Sequence, residues 1–240
     1  MTYCVATMID AGMVFASDSR TNAGIDNIST FRKMKIFERF GDRVLVIVNS
    51  GNLAITQATI NHLDQAIKRN TEPHLMSVYS MYDVAGLIGV ALREVRQRDG
   101  PFLTENNVDG SANFIVGGQI AGEYQRLFLV YSEGNFIEAT PETPYFQIGE
   151  VKYGKPIIDR VIRADTCMDD AIKCVLVSFD STMRSNLSVG MPIDLACYNR
   201  ESLQLGRVHR FDEQDTYMQR LRLSWGEGVR RAFAELPNFE

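Results

Sequence analysis

The first fifty residues alternate between apolar and polar positions with a period of two, which is typical of β-strands. Residues 3–9 and 13–18 are two such runs, and a short segment that contains Gly12 separates them. Two β-prone runs joined by a short turn with glycine predict a β-hairpin. Residues 33–40 and 44–48 repeat the pattern, so four consecutive strands are expected before any helix.

The periodicity changes in the following segment, where apolar side chains recur at helical spacing. Residues 56–67 and 84–95 therefore predict two amphipathic helices. Later elements are expected in this order: a strand at 112–116 that ends at Gly117 and Gly118, a strand at 126–131, a helix at 171–183, a strand at 191–198 and a final helix at 218–236. The apolar stripe of the final helix is expected to be core or a subunit contact.

This order of elements indicates the α+β fold class, since strands and helices do not alternate one by one. No charge run, proline-rich linker or internal repeat divides the chain. We therefore predict a single domain over residues 1–240. Its architecture is expected to be a four-layer αββα sandwich, in which two sheets pack face to face and helices flank them.

Composition narrows the classes of function. Asp and Glu number 30 against 25 Lys and Arg, so the net charge is −5, and this balance argues against a nucleic-acid-binding protein. The longest strongly apolar run, residues 44–48, is too short to span a membrane. No signal-peptide pattern opens the chain, and the four cysteines are scattered without a CxxC pair. We expect a cytoplasmic protein that binds neither nucleic acid nor a membrane.

Common catalytic motifs are absent, which directs attention to the amino terminus. The sequence has no GxSxG elbow, Walker loop, GxGxxG or HExxH, and its three histidines lie far apart, so neither a metal nor a cofactor is expected. Met1 precedes Thr2, and a small second residue permits removal of the initiator methionine. The freed α-amine, with an ordinary pKa of about 7.7–8.0, could then accept the proton of its own hydroxyl. Taken alone, Thr2 is more simply the first residue of a strand.

Several segments near the amino terminus together resemble the proteasome-type peptidases, which are N-terminal-nucleophile hydrolases. The segments are Thr2, residues 15–24, residues 28–36 and residues 49–51. The DSR-x-x-AG stretch that begins at Asp18 is the most specific of them. Within this group, which includes the proteasome β-subunits and HslV, the chain is most similar to the Anbu family. The resemblance implies the N-terminal-nucleophile fold with antiparallel sheets.

The resemblance also implies a set of catalytic residues. Thr2 is the expected nucleophile, Asp18 the partner of a catalytic lysine, and the backbone N–H of Gly51 the donor to the oxyanion. Alignment with the family pattern selects Lys35 as that lysine, whereas an arginine–lysine pair of the HslV type selects Lys33. Residues two apart share a face of a strand, so alternation does not separate them. We choose Lys35 and retain Lys33 as the alternative.

A substrate site follows from the same resemblance. An extended peptide is expected to pair with the backbone at Thr21 and Asn22 and at Ser50. The resemblance implies that the first specificity pocket is framed by Thr21, Lys33, Asn49, Leu53 and Gln57. This set is mostly polar and indicates no preferred side chain.

Glu150 departs from the family, which has a glycine–serine pair where this chain has Gly149 and Glu150. An acid there is expected to change the charge near the nucleophile.

Three functions remain at this point. The first is a threonine peptidase inside a homo-oligomer, either a ring or a ring-like spiral. The second is a catalytically silent subunit, and the third is an amidohydrolase that acts on a small amide. We expect the first, because the residues Thr2, Asp18, Lys35 and Gly51 are present together. The sequence identifies no ATP-driven unfoldase as a partner.

Overall fold

The computed structural model describes residues 2–22 and 28–239 of the chain. Within these ranges the helices are α1 (Leu53–Arg69), α2 (Met81–Glu105), α3 (Lys155–Val161), α4 (Met168–Ser185) and α5 (Thr216–Ala234). The strands are β1 (Tyr3–Ile9), β2 (Gly12–Asp18), β3 (Arg20–Asn22), β4 (Ile28–Thr30), β5 (Met34–Arg39), β6 (Arg43–Gly51), β7 (Ala112–Ile120), β8 (Arg126–Val130), β9 (Phe136–Glu138), β10 (Tyr145–Gly149), β11 (Ile193–Asn199) and β12 (Leu205–Phe211).

The described strands form two five-stranded antiparallel sheets and one short pair, β3–β4. The first sheet has the strand order β10-β1-β2-β11-β12, and the second has the order β5-β6-β7-β8-β9. Both hairpins expected from the sequence are present: Cys4 lies opposite Ser17 in β1–β2, and Lys35 lies opposite Ile47 in β5–β6. The open end of the first hairpin places the start of β1 beside the end of β2.

Alternating side chains explain why the sheets stack. In β1, Tyr3 and Val5 pack under α3 and α4, whereas Cys4 and Ala6 face the second sheet. Strand β6 alternates in the same way between this inter-sheet core and a third core under α1 and α2. The layers are therefore α3 and α4, the first sheet, the second sheet, and α1 and α2. The predicted α+β class, with two antiparallel sheets flanked by helices, is confirmed.

The start of α1 fixes the end of β6. Asn52 caps the helix, since its side-chain oxygen accepts hydrogen bonds from the N–H groups of Ala54 and Ile55 at 3.0 and 3.2 Å. The N–H of Asn52 itself donates to the carbonyl of Ser111 at 2.8 Å. These bonds hold the strand-to-helix turn that follows Gly51, so the backbone of Gly51 has a defined place at the end of the sheet.

One strand boundary was predicted incorrectly, and one strand important for the site was missed. We expected the first strand of the second half to stop at Gly117 and Gly118, but β7 continues to Ile120, with both glycines paired to β6. A β-carbon on Gly118 would overlap the carbonyl oxygen of Val44, so glycine here permits the close approach of β6. Strand β10 was not expected; only Phe146 and Ile148 of its five residues are buried, so its apolar alternation is weak.

Helix α5 lies largely outside the core. Of its apolar stripe only Met218 is buried, whereas Trp225, Val229 and Phe233 are exposed. Of the two interpretations open from the sequence, core or subunit contact, burial in this chain's own core therefore applies only to the start of the helix. Within residues 2–22 and 28–239, no helix combines the length and apolarity needed to cross a membrane.

Candidate active site

Thr2 lies directly before β1, between the ends of two neighbouring strands. Its relative exposure is 9%, and its carbonyl accepts a hydrogen bond from the N–H of Glu150 at 2.7 Å. Gly149 has φ +85°, and a β-carbon on it would overlap the carbonyl oxygen of Thr2. Glycine is therefore required where β10 passes the nucleophile candidate, because only glycine combines this backbone conformation with so close an approach.

Asp18 and Lys33 form a buried ion pair at the end of β2. Lys33 Nζ donates to Asp18 Oδ1 at 2.7 Å and to the carbonyl of Arg20 at 2.6 Å. The two side chains are 3% and 0% exposed. The N–H of Tyr3 donates to the same Asp18 oxygen at 3.1 Å, so this carboxylate links the lysine to the residue that follows Thr2.

Our choice of Lys35 as the partner of Asp18 is wrong. Lys35 lies in β5 with its side chain 44% exposed, and its Nζ is 3.9 Å from Oδ1 of Asp64 on α1. Lys33 lies before β5 begins, so strand alternation does not govern its direction. The two lysines consequently point to different partners, although they are only two residues apart.

The end of β6 holds Lys33 by its backbone. Both the N–H and the Nδ2 group of Asn49 donate to the carbonyl of Lys33, at 3.0 and 2.9 Å. The thiol of Cys4 in turn donates to the carbonyl of Asn49 at 3.3 Å. Asn49 was expected to bind substrate, but these contacts show that its side chain also positions the lysine.

An open cleft of about 500 Å³ lies in front of Thr2. Residues from five regions of the chain line it: Thr2, Thr21, Ser29, Phe31, Ser50, Gly51, Leu53, Ser111, Asn113 and Gly149. The cleft thus brings together five of the residues expected at the site, namely Thr2, Thr21, Ser50, Gly51 and Leu53. The backbone of Asn22 ends β3, whereas its side chain falls outside the described part of the chain, as do Met1 and the AG of the DSR-x-x-AG stretch.

Lys33 is buried behind the cleft and does not line it. Its expected second role, as a lining residue of the specificity pocket, therefore does not fit its position, since its ammonium group is already engaged by Asp18 and Arg20.

Burial sets the electrostatics behind the cleft. It raises the pKa of the Asp18 carboxyl, while the charge and hydrogen bond of Lys33 and the N–H of Tyr3 act in the opposite direction. Burial also raises the pKa of the Cys4 thiol far above its ordinary value, so this neighbour stays protonated and is a poor nucleophile. Thr2, unlike Cys4, lines the cleft.

Glu150 is buried beside Thr2, with a relative exposure of 5%. Its Oε2 accepts a hydrogen bond from Asn186 Nδ2 at 2.8 Å, and its Oε1 lies 3.8 Å from Lys152 Nζ. The sequence indicated an acid near the nucleophile, but not its partner at the end of α4. That partner could not be found by spacing, because it is separated from Glu150 by α3 and α4.

Several solved structures are similar to the chain over nearly its full length. Anbu from Yersinia bercovieri, described as an ancestral β-subunit, is 50% identical and superposes with a TM-score of 0.94, over 99% of this chain and 98% of that one. A Gly-1 mutant of Anbu from Hyphomicrobium sp. strain MC1 is 47% identical, with a TM-score of 0.93 over 100% of both chains. The chain belongs to the Anbu family.

A further Anbu structure is described as a helical assembly of the complex from Pseudomonas aeruginosa. It is 50% identical to the chain, with a TM-score of 0.94 over 99% of this chain and 98% of that one. No protein-family model matches the chain, and no curated protein does. The resemblance of the amino-terminal segments to the Anbu family is confirmed, and with it the proteasome-like fold.

Proposed function

We propose that the chain is a threonine peptidase that uses Thr2 as its nucleophile after removal of Met1. The observation that supports this most is the link between Thr2, which meets an open cleft, and the buried pair of Lys33 and Asp18. The link runs through the N–H of Tyr3, which shares one oxygen of Asp18 with the lysine. A hydroxyl, an α-amine and a fixed cation are the parts that an activated N-terminal nucleophile needs.

Peptide hydrolysis would take two steps at this site. The α-amine of Thr2 accepts the proton of the hydroxyl, and Oγ1 attacks the carbonyl carbon of the substrate. The N–H of Gly51 donates to the oxyanion. The C–N bond then breaks, the leaving amine takes the proton, and the acyl group remains as an ester on Thr2. Water, deprotonated by the same α-amine, attacks the ester and releases the carboxylic acid, which restores the hydroxyl.

Lys33 takes the role that we first gave to Lys35. Its positive charge, fixed by Asp18, favours the developing alkoxide on Thr2 and disfavours a second positive charge on the α-amine. Both effects need the lysine close to Thr2 and shielded from water, and Lys33 is only 3% exposed. Lys35 is half-exposed and lies toward α1, so it does not meet these requirements.

An extended peptide fits the cleft as an added strand. Thr21 and Ser50 lie on opposite elements that line it, β3 and β6. Backbone pairing with these segments gives affinity that does not depend on the substrate sequence. It also presents the scissile carbonyl to Thr2 and to the N–H of Gly51.

Self-association into a ring or a ring-like spiral belongs to the same proposal. The exposed apolar residues of α5, among them Val229 and Phe233, are typical of a surface that packs against another subunit. The helical assembly of the Pseudomonas aeruginosa relative supports a homo-oligomer. An enclosed arrangement would limit which cytoplasmic proteins reach Thr2.

The decisive test is substitution of Thr2. Thr2→Ala should abolish peptide hydrolysis and leave the fold and the assembly unchanged, because only a hydroxyl and a methyl group are removed at the end of a strand. Thr2→Ser is the matched control, since it keeps a hydroxyl and should retain measurable activity. Initial rates are measured on a peptide library, with the free amino terminus of each variant verified by intact mass.

The outcomes separate the three functions. Equal rates for the parent and Thr2→Ala would show that the nucleophile assignment is wrong. No hydrolysis by a parent chain with a free Thr2 would favour the silent subunit. Thr2-dependent hydrolysis of small amides, without cleavage of peptides, would favour the amidohydrolase.

A further inference from the structure

A second cavity of about 600 Å³ lies beside the cleft, between the start of β5 and helix α1. The two cavities share Leu53 in their walls. They also meet along the chain, because Asn49 lines the second cavity and the next residue, Ser50, lines the cleft. Asn49, Leu53 and Gln57, which the resemblance placed in the first specificity pocket, all line this second cavity. A peptide held in the cleft could therefore place one of its side chains there.

The second cavity is positively charged. Arg32 and Lys35 line it, and none of the described residues that do so is acidic. The carboxylate beside it, Asp64, lies 3.9 Å from Lys35 Nζ but also accepts from Lys68 Nζ at 2.6 Å. The hydrogen bond from Lys68 is the main cause that lowers the pKa of Asp64, so this carboxylate stays ionised and is shared between two lysines. The charge of Asp64 is thus shared between Lys35 and Lys68, and Arg32 adds a further cation to the cavity wall.

Neutral hydrogen-bond donors complete the wall. Gln57 and Asn61 of α1 contribute side-chain amides to the same cavity. Amides together with two flexible cations are the groups that bind a carboxylate through charge-assisted hydrogen bonds. Lys35 is 44% exposed and only loosely paired at 3.9 Å, so its ammonium group can move to a ligand without breaking a close contact.

We propose that this cavity binds a carboxylate side chain of the peptide substrate and that Lys35 and Arg32 select it. The inference rests on the proposed function, because it assumes that a peptide lies in the cleft. It assigns to Lys35 a role in specificity in place of the catalytic role that it cannot fill. A glutamate or aspartate side chain would enter the cavity from the backbone paired along β6, past Leu53.

Binding is measured without hydrolysis, on the Thr2→Ala chain, by fluorescence anisotropy. The probes are two labelled peptides that differ only in a single central residue, glutamate or glutamine. The glutamate peptide should bind roughly tenfold more tightly, as one charge-assisted hydrogen bond at a half-exposed site would give. Lys35→Gln in the same background should bring the two affinities close together. Lys173→Gln is the control, because this exposed lysine lies on α4, over the other sheet.

A second measurement uses the chain with Thr2 intact and compares kcat/KM for the same pair of peptides. The ratio of glutamate to glutamine should fall in Lys35→Gln and should remain in Lys173→Gln. Equal affinities of the two peptides for the Thr2→Ala chain, or a glutamate preference that survives Lys35→Gln, would overturn the inference. Selective binding of the glutamate peptide without any hydrolysis would support the cavity while refuting the proposed peptidase, so the two failures are distinguishable.

Discussion

Replacing Lys33 by methionine removes the ammonium group that Asp18 contacts but nearly preserves the length of the side chain. Two hydrogen bonds of Nζ disappear, one to Asp18 Oδ1 at 2.7 Å and one to the carbonyl of Arg20 at 2.6 Å. Asp18 keeps the N–H of Tyr3 at 3.1 Å. Because its side chain is 0% exposed, water cannot replace the lost cation without a rearrangement of the strand end.

The burial of this ion pair sets the size of the expected loss of stability. Removal of one partner of a buried ion pair lowers the free energy of unfolding by about 3–5 kcal/mol, because the other charge stays buried without compensation. We expect about 3 kcal/mol, at the lower end of this range, since the N–H of Tyr3 remains. Lys35→Met is the matched control: its ion pair is long and half-exposed, and such pairs contribute below about 1 kcal/mol.

The decrease in the free energy of unfolding caused by Lys33→Met should become larger as the pH rises. Burial raises the pKa of Asp18, and the Lys33→Met change removes the charge that opposes this shift. A carboxyl with a higher pKa in the folded than in the unfolded chain destabilises the fold at a pH above both values. The penalty should therefore be small near the unfolded pKa of about 3.9, grow as the pH rises and be complete above the folded pKa of Asp18.

The free energies of unfolding of the parent and the variant are measured by urea unfolding between pH 4 and pH 7.5. Unfolding is followed by circular dichroism at fixed protein concentration. A second substitution tests the cause: Asp18→Asn in the Lys33→Met background removes the uncompensated charge and should recover at least about 1 kcal/mol at neutral pH. The reasoning is refuted if Lys33→Met costs no more than Lys35→Met, or if its cost does not depend on pH.

Two further predictions concern the nucleophile. Gly149→Ala should lower the free energy of unfolding by roughly 1–3 kcal/mol more than Gly122→Ala does. It should also strongly reduce peptide hydrolysis. Gly149 and Gly122 have nearly the same φ, +85° and +87°, but only at Gly149 would a β-carbon meet Thr2. Equal urea midpoints of the two variants would contradict this prediction. The rate of hydrolysis should rise with pH to a midpoint below about 8, because Thr2 must have a neutral α-amine and the cation of Lys33 lowers its pKa. A flat profile of initial rates across neutral pH, on enzyme with a verified free terminus, would exclude this amine as the base.

Local patterns in the sequence determined much of the architecture. Alternation over residues 3–9 and 13–18 predicted the hairpin that occupies the middle of the first sheet, and helical spacing located α1, α2, α4 and α5. Such elements are predictable because each buries a face whose spacing is set by its own geometry. The roles expected of Thr2 and Asp18 came from the resemblance, and the structure shows that this hairpin brings the start of β1 and the end of β2 together.

Tertiary structure decided which lysine completes the candidate site. Strand alternation assigned Lys33 and Lys35 to one face, but it holds only inside a strand, and β5 begins after Lys33. The direction of Lys33 depends instead on Asp18 and Arg20, at the end of β2 and the start of β3, and on Asn49 of β6. The contacts of Glu150 likewise depend on β10 and on the end of α4. Pairings of this kind arise from long-range packing, so no local spacing in the sequence could have specified them.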